Sequence, residues 1–169
     1  LACCGIAPKG KKEDWVKLAN TEQDDIKKER LKGGLARMYD LFQQAPELGS
    51  LIDPTTIEKD AFTSDFEELQ PFLEEALNTE NGNKANERAV IASGVAKAGV
   101  ILNQKFTCVL TNVPFKETKQ LCASLQTYIQ SHYVKSKTNL ATVFIDRIMG
   151  ILVKGGTLSI VSPHEWLFL

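Results

Sequence analysis

The sequence has no stretch of about 18 apolar residues able to cross a membrane and no basic-then-apolar leader, which predicts a soluble, cytoplasmic protein. An excess of one charge sign is also lacking. The formal net charge is -1, so the whole chain offers no electrostatic footprint for nucleic acid, and any such face must be local or lie on other parts of the protein. The 4 cysteines, Cys3, Cys4, Cys108 and Cys122, include no C-x-x-C spacing, and adjacent cysteines seldom pair with each other. They read as small apolar residues buried in a reducing compartment, with no disulfide and no metal. The two histidines, His132 and His164, are scattered and form no cluster. Gly33-Gly34 has no strand before it and no Lys-Ser/Thr after it, which excludes a phosphate loop. There is no internal repeat and no low-complexity tract.

What is present is enough chain for one domain with a sizeable core, at 169 residues. The sequence begins at Leu1-Ala2-Cys3-Cys4 and stops in the apolar run Trp166-Leu167-Phe168-Leu169, so it reads as an internal piece of a longer enzyme. Its most informative stretch is Phe106 to Phe115. Phe106, Cys108, Val109 and Leu110 make a short, nearly continuous apolar run, which predicts an inner strand of a covered sheet. Asn112 follows at the carboxyl end, where open α/β sheets place their ligands, and Pro114 turns Val113 away from helical angles. An amide, a carbonyl and an aromatic ring are thereby presented together.

In chain order, Leu1 to Ile6 reads as a strand that exits at Gly5, and Lys9 to Lys12 as a solvated basic turn. Asp14 to Ala19 starts a short helix with Trp15 and Leu18 inward. From Thr21 to Ala45, Leu31, Leu35, Met38 and Phe42 recur at helical period. Gly33-Gly34 interrupts that helix at about 1 kcal/mol per glycine and marks a kink or a close crossing. Pro46 to Pro54 reads as a loop. Asp65 caps a helix carrying Phe66, Leu69, Leu73 and Leu77, which Pro71 should break or restart. Asn78 to Asn86, with Asn81-Gly82-Asn83, reads as the strongest linker and the best tolerated insertion site. From Glu87 to Gln104 a helix puts Ile91, Val95, Ala98 and Leu102 on one face, and Gly94, Ala96 and Gly99 allow it to lie close to a sheet. Leu121 to Tyr133 forms another helix. Asn139 or Thr138 caps a strongly apolar one through Leu140, Val143 and Ile148, which Gly155 ends as a left-handed cap. Thr157 to Val161 is the next parallel strand. Asp146 and Arg147 read as a solvated or capping pair, and Trp166 and Phe168 as core.

Asn112-Val113-Pro114-Phe115 resembles the Asn-Pro-Pro-Tyr/Phe loop of S-adenosylmethionine-dependent methyltransferases that modify exocyclic or amide nitrogens, above all the N6-adenine DNA methyltransferases. The likeness continues through the helix at Asp146 to Met149, the turn Lys154-Gly155-Gly156 and the strand ending in Ile160-Val161-Ser162-Pro163. That series looks like the helix, Gly-Gly turn and fifth strand that follow the catalytic strand in this fold. The chain is most similar to the large restriction-modification and phage-exclusion adenine methylases, in which strand ends of the type TNVPF and TPxxWLFL recur. The resemblance covers the second half well and the first half loosely. It implies an α/β fold class, a partial Rossmann-like methyltransferase sheet holding strands 3, 4 and 5 with a long, mostly helical insertion. Residues 1-8 would end a sheet strand, 9-84 would form the insertion and 85-169 the catalytic half.

The same resemblance implies S-adenosyl-L-methionine as cofactor and double-stranded DNA with a flipped adenine as substrate. The Asn112 side-chain oxygen and the Val113 carbonyl would accept the amino N–H bonds and stabilise positive charge on nitrogen. Val113 stands where the family has proline, with the carbonyl kept. Pro114 would shape the loop, and Phe115 would stack on the base, worth about 1 to 3 kcal/mol. Catalysis would be positioning and electrostatics, without metal or covalent intermediate. Cys4 and Gly5 would lie near the cofactor's adenine ring, with Ile6-Ala7-Pro8 where the family has an acidic or polar residue. The glycine-rich loop of the Asp-Pro-x-x-Gly-Ser-Gly kind is absent from the sequence. The resemblance therefore implies an upstream cofactor-binding half, a downstream target-recognition domain, and a sheet that associates when isolated. Two other readings stand beside it: a protein-glutamine N-methyltransferase of the same fold, and a helical interaction module in which the loop is incidental.

Overall fold

The computed structural model describes residues 2–56, 66–79 and 83–161. The expected cap at Asp65, the linker residues Asn81 and Gly82, the side chain of Leu77, and Ser162, Pro163, His164, Trp166 and Phe168 lie outside the described residues. The chain forms two compact units, Leu1–Asn103 and Gln104–Leu169. No helix among the described residues is long and apolar enough to cross a membrane.

The first unit is helical. Helix α1 (Lys12–Val16) runs into a 3-10 turn at Lys17–Thr21, and together they bury Trp15, Leu18 and Ala19. Helix α2 (Asp25–Phe42) starts where the Asp24 carboxylate accepts the Lys27 N–H at 3.0 Å. That bond satisfies one of the donors every helix start leaves over. The expected stripe of Leu31, Leu35, Met38 and Phe42 is buried, each side chain contributing roughly 1.5 to 3 kcal/mol of burial. Gly34 is buried inside an uninterrupted helix. The segment expected as a loop after it contains a short helix, α3 (Ala45–Leu48), started by Pro46 and ended at Gly49. Proline in a first turn loses no helical hydrogen bond, which is why a loop signal became a helix start.

Helix α4 (Phe66–Thr79) passes through Pro71 without ending. Pro71 and Glu67, whose carbonyl loses its usual donor, are both exposed, while Leu69 and Leu73 are buried. Packing of that face offsets the one missing bond. Helix α5 (Asn83–Asn103) packs against α4, so the residues expected to begin the catalytic half at 85 belong to the first compact unit. Gly99 serves this helix crossing rather than a helix-on-sheet contact. A Cβ there would stand 2.3 Å from Cδ1 of Phe66. Residues 2–6 are irregular, with a turn at Cys4-Gly5. The expected strand is missing there because a strand exists only through a ladder partner, and no described segment pairs with it.

The second unit holds the sheet. Strand β1 (Phe106–Asn112) is followed by a 3-10 turn at Thr118–Gln120, α6 (Ala123–His132), α7 (Leu140–Ile151) and β2 (Leu152–Val161). The strands pair in parallel from Cys108↔Thr157 to Asn112↔Val161, as expected for Thr157 to Val161. Phe106 pairs with Leu152, so β2 carries extra residues between that pair and the next. Gly155, with φ 81, sits in this bulge. Its left-handed conformation matches the sequence reading, but it shapes a strand, and α7 ends earlier, at Ile151.

Parity along the ladder decides which side chains are covered. Val109, Thr111, Leu158 and Ile160 share a half-buried face, while Cys108, Leu110, Asn112, Thr157, Ser159 and Val161 are exposed. Strand β1 is thus covered on one face only; Leu110 is 76% exposed. Continuous apolar character predicted two covered faces, but the second cover must come from other elements, which local sequence does not encode. The cysteines correct the same expectation, since Cys3, Cys108 and Cys122 are exposed and Cys4 is partly covered.

Candidate active-site loop and adjoining cleft

Strand β1 carries Asn112 to the carboxyl end of the sheet, opposite Val161. Asn112 is exposed, and no hydrogen bond engages its side chain among the described residues. Val113 is buried, at 4% exposure, and acts as the apolar anchor of the turn. Pro114 is exposed, and Phe115 leaves 45% of its surface to solvent. A carboxamide, a backbone carbonyl and an aromatic ring therefore occur within four consecutive residues, with the valine side chain inside and the amide outside.

The loop is tied beyond its last residue. The Leu140 N–H donates to the Lys116 carbonyl at 2.8 Å, and the Thr118 N–H donates to the Thr138 carbonyl at 3.2 Å. Glu117 and Asn139 form an antiparallel bridge. Asn139 also caps α7, as expected, its Oδ1 accepting the Ala141 N–H at 2.9 Å. The start of α7 thus fixes the exit of the loop. Asp146 and Arg147 behave differently from the expected solvated pair. Asp146 accepts a bond from Ser136 Oγ at 2.7 Å; Arg147 is buried because it shares a helix face with Val143, one turn before.

Beside this bridge lies a cleft of about 700 Å³ whose lining includes Glu117, Thr118, Lys119, Gln130, Lys137 and Thr138. Sequence reading did not single it out, since its walls come from three separate stretches. Lys119 Nζ pairs with Glu117 Oε2 at 2.6 Å, and this hydrogen bond pushes the lysine above its ordinary pKa. Gln126 Nε2 donates to the Leu121 carbonyl at 2.8 Å, which pins the 3-10 turn to α6.

Cys4 and Gly5 lie in the first unit. Burial, and secondarily the neighbouring Cys3, push the Cys4 thiol above its ordinary pKa, so it is a neutral group at physiological pH. A Cβ at Gly5 would meet only the Ala45 carbonyl, at 4.0 Å. Among the described residues no group of three or more His, Cys, Asp or Glu is placed to hold a metal ion.

Comparison with known proteins gives this geometry its context. Adenine-specific methyltransferase PglX of Lacticaseibacillus casei (strain Zhang) is 26% identical over 139 residues, covering 81% of this chain and 11% of that protein. Adenine-specific methyltransferase BrxX of Escherichia coli O9:H4 (strain HS) is 27% identical over 154 residues, covering 90% of this chain and 12% of that protein. The chain therefore spans about a tenth of the length of these curated relatives. The family model of the Eco57I restriction-modification methylase matches residues 12–169, which includes the loop, the bridge and both strands, and the chain belongs to that family.

Proposed function

We propose that this chain supplies the substrate-positioning loop of a DNA methyltransferase that transfers a methyl group to adenine N6 in a restriction-modification or phage-defence system. The observation that carries the reading is the exposed, unengaged Asn112 carboxamide at the end of β1, inside a chain of the Eco57I methylase family. The exocyclic nitrogen of adenine is a poor nucleophile while its lone pair is delocalised into the ring. Asn112 Oδ1 and the Val113 carbonyl accept its two N–H bonds, hold the amino group for attack, and stabilise the positive charge that develops on nitrogen. Phe115 stacks on the base once it is flipped out of the duplex. The burial of Val113 fixes its carbonyl without the ring that proline would provide.

The methyl group itself comes from S-adenosyl-L-methionine. In this reading Cys4 and Gly5 lie near the cofactor's adenine ring, and an upstream half of the polypeptide supplies the rest of its site. The test is transfer of labelled methyl from S-adenosylmethionine to DNA by the complete polypeptide that carries this chain, with Asn112→Ala beside it. Expected is transfer to adenine that falls by about 10²-fold or more in the variant, the usual loss for one preorganised polar group. Transfer to a protein glutamine in place of DNA, or full activity in Asn112→Ala, would overturn the reading.

A further inference from the structure

We propose that the cleft lined by Lys119, Gln130, Lys137 and Thr138 binds the phosphodiester backbone of the DNA strand whose adenine the loop receives. The proposal rests on the methyltransferase reading of that loop. Its first support is a charge asymmetry that the balanced total conceals. Residues 104–169 hold seven Lys or Arg against three Asp or Glu, a formal +4, in a chain whose total is -1. The second compact unit therefore has the local basic character that a polyanion requires.

The second support is how the cations are placed. Lys119 and Lys137 stand about twenty residues apart in sequence, yet the Glu117–Asn139 bridge brings them to one cleft. Lys119 shares its charge with Glu117. Lys137 has no ion pair among the described residues, so its ammonium is available to an incoming phosphate. The start of α7 does not compete for this role. Its Leu140 and Ala141 N–H groups are taken by the Lys116 carbonyl and Asn139 Oδ1, which leaves the side chains of the cleft as the main donors to an anion. Gln130 and Thr138 supply neutral donors alongside the lysines. The Thr118 hydroxyl, in a residue only 8% exposed, has no hydrogen-bond partner among the described residues, a further polar group left over in the cleft wall.

Size and position agree with a strand rather than a lone ion. At about 700 Å³ the cleft is within the range of sites that take a nucleotide-sized ligand. Glu117 follows Phe115 by two residues, a span of at most about 7 Å. A base stacked on Phe115 would therefore have its neighbouring phosphates, spaced about 3.4 Å along the helix axis per strand, within reach of the lysines.

The experiment measures DNA binding by the complete polypeptide as a function of salt, using a duplex that carries its methylation site and one of scrambled sequence. Lys137→Gln and the double variant Lys119→Gln/Lys137→Gln are compared with the parent. Each lost phosphate contact should lower the slope of log affinity against log salt by about 1 and weaken both duplexes alike. The double variant should lose more than the single one, by up to about 1 further unit, because Lys119 is already paired with Glu117. Unchanged slopes in both variants, or no DNA binding by the parent, would overturn the proposal. Asn112→Ala separates the two readings: if it abolishes transfer while the lysine variants keep the parental slope, the loop reading stands and the cleft reading fails. If Asn112→Ala keeps full transfer while the slopes change, the cleft contacts DNA but the loop reading fails, and with it the claim that this strand presents its adenine to the loop.

Discussion

The backbone N–H of Leu140 donates to the carbonyl of Lys116 at 2.8 Å, joining the first residue of α7 to the chain just past Phe115. A first-turn N–H has no partner inside its own helix, so its use here costs α7 nothing and fixes the loop. This can be tested by proline at that position. Asn139 already has extended angles, φ -136 and ψ 141, which the residue before a proline prefers, and the first helical position accepts proline well. Leu140→Pro and Leu140→Ala both remove the buried side chain, but only proline removes the donor. The expected difference between them is about 0.5 to 1.5 kcal/mol of stability, with a larger loss of methyl transfer in the proline variant. Equal stability and activity would show that the bond does not hold the loop.

Phe115 offers nearly half its surface to solvent, and its proposed work is stacking. Phe115→Ala should raise the KM for DNA by roughly fivefold to a hundredfold, corresponding to about 1 to 3 kcal/mol per stacked base. Phe115→Trp should keep most of the affinity. A uniform fall in thermal stability with no change in KM would identify the ring as packing alone.

At the crossing of α4 and α5, the absent side chain of Gly99 makes room for the ring of Phe66. Gly99→Val should destabilise the first unit by about 1 to 3 kcal/mol through overpacking, despite valine's better helix propensity. Combining it with Phe66→Ala should relieve the clash, so that the double variant is less destabilised than the sum of the two single changes. Additive melting shifts would contradict the contact.

Glu22 makes an acid-sensitive latch before α2. Its Oε2 lies 2.7 Å from Lys27 Nζ, and its Oε1 accepts the N–H groups of Gln23 and Asp24. The Lys27 hydrogen bond foremost, then that from Asp24, holds its carboxyl below the ordinary glutamate pKa. The charged form is thus the one the fold favours. Its contribution is present above the ordinary glutamate range and fades as pH falls through the lowered value. In a carboxyl-resolved NMR titration Glu22 should protonate below the ordinary glutamate range, and Lys27→Met should move it back up. Titration of Glu22 within that ordinary range in the unmutated protein would refute the latch.

Local pattern made some features legible and concealed others. The stripe Leu31, Leu35, Met38 and Phe42 could be read because helical period and burial coincide there. The Asn139 cap could be read because its chemistry is local. Gly155 was identified as a left-handed position, but whether that ends a helix or bulges a strand depends on where β2 finds β1. The apolar run Phe106 to Leu110 signals a strand without saying how many of its faces are covered. Pro46 opens a stretch that reads as a loop and Pro71 reads as a breaker, although the first lies in the opening turn of α3 and the second is tolerated on an exposed side of α4. The loop was legible through resemblance, with its residue roles awaiting the experiments above. The cleft was not legible, because its lysines converge only through the Glu117–Asn139 bridge and their charge is cancelled in the total by the acidic first unit.

The open face of the sheet carries its own chemical reporter. Cys108 stands one pleat before Leu110 on that face and is exposed, so the rate at which a small alkylating reagent modifies this thiol measures how wet the face is. Followed by peptide mass spectrometry, which separates Cys108 from Cys3, Cys4 and Cys122, the rate serves as a footprint. Any segment, cofactor or nucleic acid that comes to lie over Leu110 and Val161 would register as protection at a native residue, without a label or a mutation being introduced.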